Sequence, residues 1–337
     1  MTSIRLLLML LLLLPLGCSD DTTPAVDAAP PQPDIGACSY SSPRAVPLSV
    51  SVLPDDGEKP FLDVINAATK TIRVYCYLMG TGGILSALKQ KAGSGVAVRV
   101  LFDLGQDVNK SYFTELMNAG AKVAWSDPQY THMHAKVIVG DDRDAVISTG
   151  NYSYSASINR NRDFVAHTAD ADDVADLIAL FDADWDRKPA SLSCTRLLVS
   201  PINARLRLVS VIESASTSLL IESMQFADTK VREAVAARKK AGVEVRVLMA
   251  DGTWVEANIE AAKYLATQSI PARWMKDPGV HVKSVMVDGK QAYLGSINLS
   301  YTSLDKNREV GLVVLEPDQV QRMTATFEKD WLTAKSF

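Results

Sequence analysis

Cysteine is scarce, with four in 337 residues, and a disulfide-rich miniature scaffold is therefore excluded. Glycine (18) and proline (15) are too few for collagen, and 47% hydrophobic against 22% charged residues excludes a coiled coil or wholesale disorder. A basic surplus is also missing: 35 Lys and Arg stand against 39 Asp and Glu, a formal net charge of −4. A chain this mildly acidic is not an obvious polyanion binder, although the balance leaves room for a local basic groove. Long apolar runs are absent as well. The longest, Leu6 to Leu14, has nine residues and would rise only about 14 Å as a helix, too little for a bilayer core of roughly 30 Å. What remains is an ordinary globular composition, long enough for one large domain or two of about 150 residues, each with a proper core.

The short apolar run follows Arg5 and ends in Pro15-Leu16-Gly17-Cys18, the layout of an export signal over residues 1–18. Leu-Gly-Cys is similar to the lipobox of bacterial lipoproteins, which implies a lipid anchor on Cys18 and a cell-envelope location, periplasmic or outer-membrane anchored. Without lipidation the protein would be secreted. Residues 19–44 are rich in Pro, Ala and Asp and nearly free of large apolar side chains, so they are expected to form a loose tether. Of the other cysteines, Cys76 lies inside an apolar run and is expected as a buried thiol. Cys38 and Cys194 each precede one half of the chain, and in an oxidising compartment they are expected to pair.

Those halves are copies. Phe61-Leu62-Asp63-Val64-Ile65 and Thr71-Ile72-Arg73-Val74 recur 147 residues later as Leu208-Val209-Ser210-Val211-Ile212 and Ser218-Leu219-Leu220-Ile221. Ala97-Val98-Arg99-Val100-Leu101 recurs as Glu244-Val245-Arg246-Val247-Leu248, and Phe181 and Trp185 match Phe327 and Trp331. The periodicity predicts helices at 58–69 and 83–93 and strands at 71–78, 96–102, 135–140 and 145–148. In the second half it predicts helices at 202–216 and 229–241 and strands at 217–224, 243–249, 283–287 and 291–294. Such alternation argues an α/β fold: two tandem α/β/α sandwiches with mixed sheets, halves 45–190 and 197–337, packed about a pseudo-twofold axis as a monomeric internal dimer. The segments 104–133 and 252–280 are expected as loops around a pocket mouth, carrying Trp125, Tyr130, Trp254 and Trp274, at least half of them packed.

Four histidines are present. His134 and His281 both open the pattern H-x-K-x4-D, ending at Asp141 and Asp288. A hydroxyl follows each histidine (Thr149, Ser296), then an amide (Asn151, Asn298), then a carboxylate (Asp163, Glu309). Residues two apart in a strand share a face, so His134 and Lys136 point together, as do His281 and Lys283. Folding the halves about an axis gathers two imidazoles and two ammoniums in one place, which is wrong for a core without an anion and right for a phosphate. One imidazole would attack phosphorus while the other protonates the leaving alkoxide, and Asp163 and Glu309 would fix the rings. His-x-Lys is a poor chelating pair, and the scheme calls for no metal or other cofactor. His132 and His167 lack repeat partners and are expected in structural roles.

Both copies resemble the HKD motif of the phospholipase D superfamily, H-x-K-x4-D-x6-G-S-x-N. The second copy matches throughout; the first reads Ser148-Thr149-Gly150-Asn151 in place of G-S-x-N. The resemblance implies His134 as nucleophile and His281 as general acid, with the assignment reversible. It implies that Lys136, Lys283, Asn151 and Asn298 hold the phosphoryl oxygens with help from Thr149 and Ser296, and that Asp141 and Asp288 support the catalytic motif from within the protein. The leading expectation is headgroup hydrolysis of a glycerophospholipid to phosphatidic acid through a phosphohistidine. Next comes transfer to an alcohol, as in cardiolipin synthase. Third is cleavage of nucleic acid, for which Arg160, Arg162, Lys306 and Arg308 are the best support, and last a non-catalytic anionic-lipid binder.

Overall fold

The computed structural model describes residues 39–192 and 194–336. The signal segment, Cys18, Cys38 and most of the proposed tether lie outside the described residues. Residues at the tether's far end lie against the body: the Arg44 side chain is buried and bonds Asp173 at 2.6 Å and the Val313 carbonyl at 2.9 Å. Cys194 is disulfide-bonded and Cys76 is a buried free thiol.

The first half runs β1 (Ser49–Leu53), α1 (Lys59–Ala67), β2 (Thr71–Cys76), α2 (Gly83–Gly93), β3 (Ala97–Phe102), α3 (Asn109–Asn118) and β4 (Lys122–Trp125). It continues with β5 (Lys136–Gly140), β6 (Asp144–Ser148), a π-helical turn (Tyr154–Ile158), β7 (Asn161–Thr168) and α4 (Ala171–Trp185). The second half repeats the order with β8 (Leu198–Ser200), α5 (Ala204–Glu213), β9 (Ser218–Ser223), α6 (Thr229–Lys240), β10 (Glu244–Ala250), α7 (Ala257–Thr267) and β11 (Ala272–Met275). Then come β12 (Gly279–Val280), β13 (Lys283–Val287), β14 (Gln291–Gly295), α8 (Tyr301–Asp305), β15 (Glu309–Val314), α9 (Pro317–Thr333) and β16 (Lys335–Ser336). Every expected helix and strand is present. The expected loops are not all loops: 104–133 contains α3 and β4, and 252–280 contains α7, β11 and β12. In α3 only Asn109 and Leu116 are buried, so it carries no apolar stripe for periodicity to reveal.

Each half is a mixed sheet. The first has strand order β1-β7-β6-β5-β2-β3-β4 and the second β16-β11-β10-β9-β13-β14-β15-β8. Within each, three strands run parallel (β2, β3, β4 and β9, β10, β11) and the motif strands β5 and β13 join them antiparallel. Local sequence explains the covering helices. In α1 a proline in the first turn precedes Phe61, Val64 and Ile65, which share one buried face. In α4 the Asp170 side chain caps the free amides of Asp172 and Asp173.

Three apolar clusters order the layers. One lies under α1 and α2, one under α5, α6 and α7, and the central one joins both sheets through α4 and α9 with Leu180, Phe181, Phe327 and Trp331. The halves also exchange backbone. Strand β12 pairs parallel with β7, and Met133 bridges Arg308 in the matching place. His134 and Ala135 donate their amides to the Arg308 carbonyl at 2.8 and 3.1 Å, and His281 donates to Arg162 at 3.2 Å. Each motif histidine is thereby held by main chain of the opposite copy.

Candidate active site

Strands β5 and β13 are buried along their whole length, so the two residues before each are carried into the molecular centre. His134 and His281 line one cavity of about 430 Å³ together with Tyr77, Asn151, Trp254 and Asn298. Their orienting acids come from the other half. His134 Nδ1 donates to Glu309 Oε2 at 2.8 Å, and His281 Nδ1 donates to Asp163 Oδ1 at 2.9 Å. Both acids are fully buried at the cavity-side ends of β15 and β7. An ionised carboxylate only accepts, so Nδ1 carries the proton in each ring and Nε2 is the nitrogen with a free lone pair.

The electrostatics follow from burial and neighbours. Pairing with the His134 ring N–H, with Lys136 nearby, holds the Glu309 carboxyl below its usual range against the opposing effect of burial, and His281 and Lys283 do the same for Asp163. Burial lowers both imidazoles, His134 to about 3, and lowers Lys283 to about 8. Burial also pulls Lys136 well down. Both shifts favour the neutral imidazole near neutral pH.

The lysines lie beneath the histidines. Lys136 Nζ donates to the His134 carbonyl at 2.5 Å and sits 4.7 Å from the centre of the Tyr77 ring. Lys283 Nζ donates to the His281 carbonyl and, at 3.1 Å, to the Thr149 carbonyl. The amides of Asn151 and Asn298 line the cavity, and their Oδ1 atoms have no partner within the protein. A phosphoryl group would meet those amides as donors.

Two predicted phosphate contacts are corrected. The Thr149 hydroxyl is buried, donating to Asp163 Oδ1 at 2.6 Å and accepting the Phe164 amide at 2.9 Å. The Ser296 hydroxyl exchanges bonds with the Val310 main chain at 3.1 and 3.3 Å. Each is used up bracing the strand that carries an orienting acid. Asp141 and Asp288 lie beyond the far ends of β5 and β13, roughly 20 Å along the strand from the histidines at the usual rise per residue. Asp141 accepts from the amides of Thr69, Lys70 and Thr71, and Asp288 from those of Ser216, Thr217 and Ser218. They fasten the motif strand to its neighbour and do not reach the cavity.

Other expectations change as well. His132 is at the cavity, its Nδ1 3.6 Å from Asp103 Oδ1 and its ring edge-on to Tyr77; His167 lies at the far side beside Asp144. Arg162 and Arg308 offer nothing to a nucleic acid. Arg162 is buried in a fork on Asp330 at 2.5 and 3.1 Å, and Arg308 is buried on Asp184 at 2.9 Å. Of the four aromatics, Trp125 stacks on Phe113 and Tyr130 lies on Arg308, while Trp254 is half-exposed and nearly parallel to the His281 ring at 6.3 Å. Sequence reasoning missed Tyr77, whose ring lies edge-to-face with His134 at a centroid separation of 4.3 Å. Its strand alternation was legible, but its repeat counterpart is Met224, so the duplication gave it no emphasis. Among the described residues no group of three or more His, Cys, Asp or Glu side chains is gathered to hold a metal ion.

Two copies of one α/β unit, each contributing an imidazole to one shared cavity with a buried lysine beneath it, define a phospholipase D-type fold and site. The chain belongs to the phospholipase D superfamily: the family described as "Cardiolipin synthase, PLD-like domain" matches residues 61–185 and 208–331. Its relatives include a polyphosphate kinase of Prosthecochloris aestuarii, 24% identical over 303 residues that cover 82% of this chain and 42% of that protein. Another is the probable cardiolipin synthase YwiE of Bacillus subtilis, 21% identical over 322 residues covering 82% of this chain and 64% of that one. The chain thus spans about half the length of these curated relatives. Among solved structures, the phosphatidylserine synthase of Haemophilus influenzae shares the fold with a TM-score of 0.66 at 15% identity, over 86% of this chain and 87% of that one.

Proposed function

We propose that this protein cleaves the headgroup ester of glycerophospholipids by two-step phosphoryl transfer, releasing phosphatidic acid when water is the acceptor. The observation that carries the reading is the pair of crossed dyads, Glu309–His134 and Asp163–His281, opening on one cavity. His134, the ring lowered to about 3 and hence unprotonated, is the nucleophile. Its Nε2 forms a bond to phosphorus as the bond from phosphorus to the headgroup oxygen breaks. His281 gives that oxygen its proton, having gained it when the substrate's anion entered beside it. In the second step His281 takes a proton from water, whose oxygen displaces Nε2 of His134. Lys136, Lys283, Asn151 and Asn298 stabilise the phosphoryl oxygens.

A second reading, transfer to an alcohol, is favoured by the names of the relatives, which are synthases as well as a kinase. The export-type leader and Cys18 support a location at a bacterial membrane, where the substrate is. The test is incubation of the chain lacking residues 1–37, which keeps Cys38, with mixed phospholipid vesicles, with and without glycerol. Parallel arms contain inorganic polyphosphate and single-stranded DNA, and products are identified in each. Phosphatidic acid without glycerol supports hydrolysis, and a phosphatidyl-alcohol formed only with glycerol favours transfer. Turnover confined to polyphosphate or DNA would overturn the phospholipid reading.

A further inference from the structure

The repeats diverge at a buried position that the proposed chemistry leaves idle. Tyr75 and Glu222 hold the fifth place of the matching strands β2 and β9, and both are buried, at 1% and 0% exposure. In the first half the Tyr75 hydroxyl donates to Asp184 Oδ2 at 2.6 Å, and Asp184 is the acid that holds Arg308. Arg308 precedes Glu309, the residue that orients His134. In the second half the corresponding acid is Asp330, which holds Arg162, the residue before Asp163 and so next to the His281 dyad.

Glu222 has no cation of its own. Neither of its oxygens accepts a bond from a protein donor. The charged groups facing it are Asp330 from α9 and Arg162 and Asp163 from β7. Arg162 already commits its fork to Asp330 and its remaining nitrogen to the Leu53 carbonyl at 2.7 Å. Asp163 is served by His281 and Lys283, and the one guanidinium left is forked on Asp330, so the uncompensated Glu222 keeps its proton. Burial first, and then Asp330, push the Glu222 carboxyl well above its usual range.

We propose that Glu222 is a carboxylic acid held protonated in the working protein, donating its O–H to Asp330 and positioning the His281 dyad as the Tyr75 phenol positions the His134 dyad. As a positioning residue it acts through Asp330, Arg162 and Asp163, and its effect on turnover rests on the function proposed above. The two halves then differ in kind. Tyr75 is pushed still further from ionising, whereas Glu222 can lose its proton as pH rises. Ionisation places a second negative charge against Asp330 and loosens the strand that carries Asp163. The stability this proton contributes is complete below the ordinary glutamate pKa of about 4.3 and is lost as pH rises through the raised folded value.

The experiment is isotope-edited infrared spectroscopy of full-length protein with carbon-13 in its glutamate carboxyls, at neutral pH, on wild type and Glu222→Gln. The expected result is a protonated glutamate carbonyl band that disappears in the variant. Turnover of Glu222→Gln should stay within about twofold of wild type, while Glu222→Ala should lose kcat about tenfold with KM unchanged. The thermal midpoint of Glu222→Gln should gain on wild type as pH increases. Absence of the band at neutral pH overturns the proposal, as does Glu222→Gln losing as much kcat as Glu222→Ala. If Glu222→Ala does not fold, the band and the pH-dependent midpoint decide. Because the infrared signal needs no turnover, its failure is separable from failure of the proposed reaction.

Discussion

In the second half Gly295 faces Gly311 across β14 and β15; in the first, the same pair is Ser148 and Val165 across β6 and β7. Side chains at the glycine positions would collide, since a Cβ on Gly295 would lie 2.4 Å from the Gly311 Cα and one on Gly311 would lie 2.5 Å from the Tyr293 ring. Tyr293 fills the space that the glycines leave open, and its counterpart in the first half is the smaller Val146. The first half fills the same region with Ser148, whose hydroxyl bonds the Gly150 carbonyl at 3.0 Å and accepts its amide at 2.9 Å. The motif is therefore preserved as a volume and a set of donors, not as a string. Gly150 is needed for a separate reason: a Cβ there would stand 2.5 Å from Asp163 Oδ2, inside the carboxylate that orients His281.

The comparison of halves is broken most severely at the histidines. His134→Ala and His281→Ala should each lower turnover by about three orders of magnitude or more, because the rings act as a unit. A substrate with an acidic leaving group should partly rescue only His281→Ala in steady-state assays; equal insensitivity would remove the distinction between nucleophile and acid. Next in size are the crossed ion pairs. Asp184→Asn leaves the buried Arg308 without its counter-charge and should lower unfolding free energy by about 3–5 kcal/mol in denaturant titrations, whereas Asp330→Asn should cost less because Glu222 can then ionise beside Arg162. Such a difference would show that the halves are not mechanically equivalent.

The strand-pair glycines separate the halves more gently. Gly295→Ser should destabilise by about 1–3 kcal/mol through overpacking, whereas Ser148→Gly should cost about 1 kcal/mol for its lost hydrogen bonds; both are read from shifts in thermal midpoint. The smallest effect is on pH dependence. Lys283 loses its proton near pH 8, so kcat/KM should decline above that value as the phosphoryl site loses a positive charge. His134 is unprotonated from about pH 3 upward and should contribute no acid limb near neutrality. Lys283→Arg, which stays charged, should move the alkaline decline upward in a pH series.

Much of this was legible in the chain. The 147-residue self-match marks the duplication, and the strand period puts each lysine on the face of its histidine. What stayed hidden has physical reasons. Thr149 and Ser296 carry the right chemistry for phosphate, but only the fold shows their hydroxyls already bonded to Asp163 and Val310. The crossing of dyads, with each acid serving the other half's ring, lies beyond any local pattern because partners 175 and 118 residues apart meet only through docking of the halves. Helix α3 escaped notice because it buries so little, and His132 because its repeat counterpart is Gly279, so duplication did not mark it.

The central claim is that two imidazoles from opposite copies work on one phosphorus. Its most direct test is rapid acid-free quenching of His281→Asn with phospholipid vesicles, followed by peptide mass spectrometry. The account predicts a phosphatidyl group covalently held on the peptide containing His134 and none when His134→Ala is added. Turnover of phospholipid by the wild type with no such adduct under any quench time, or an adduct that persists without His134, would contradict it.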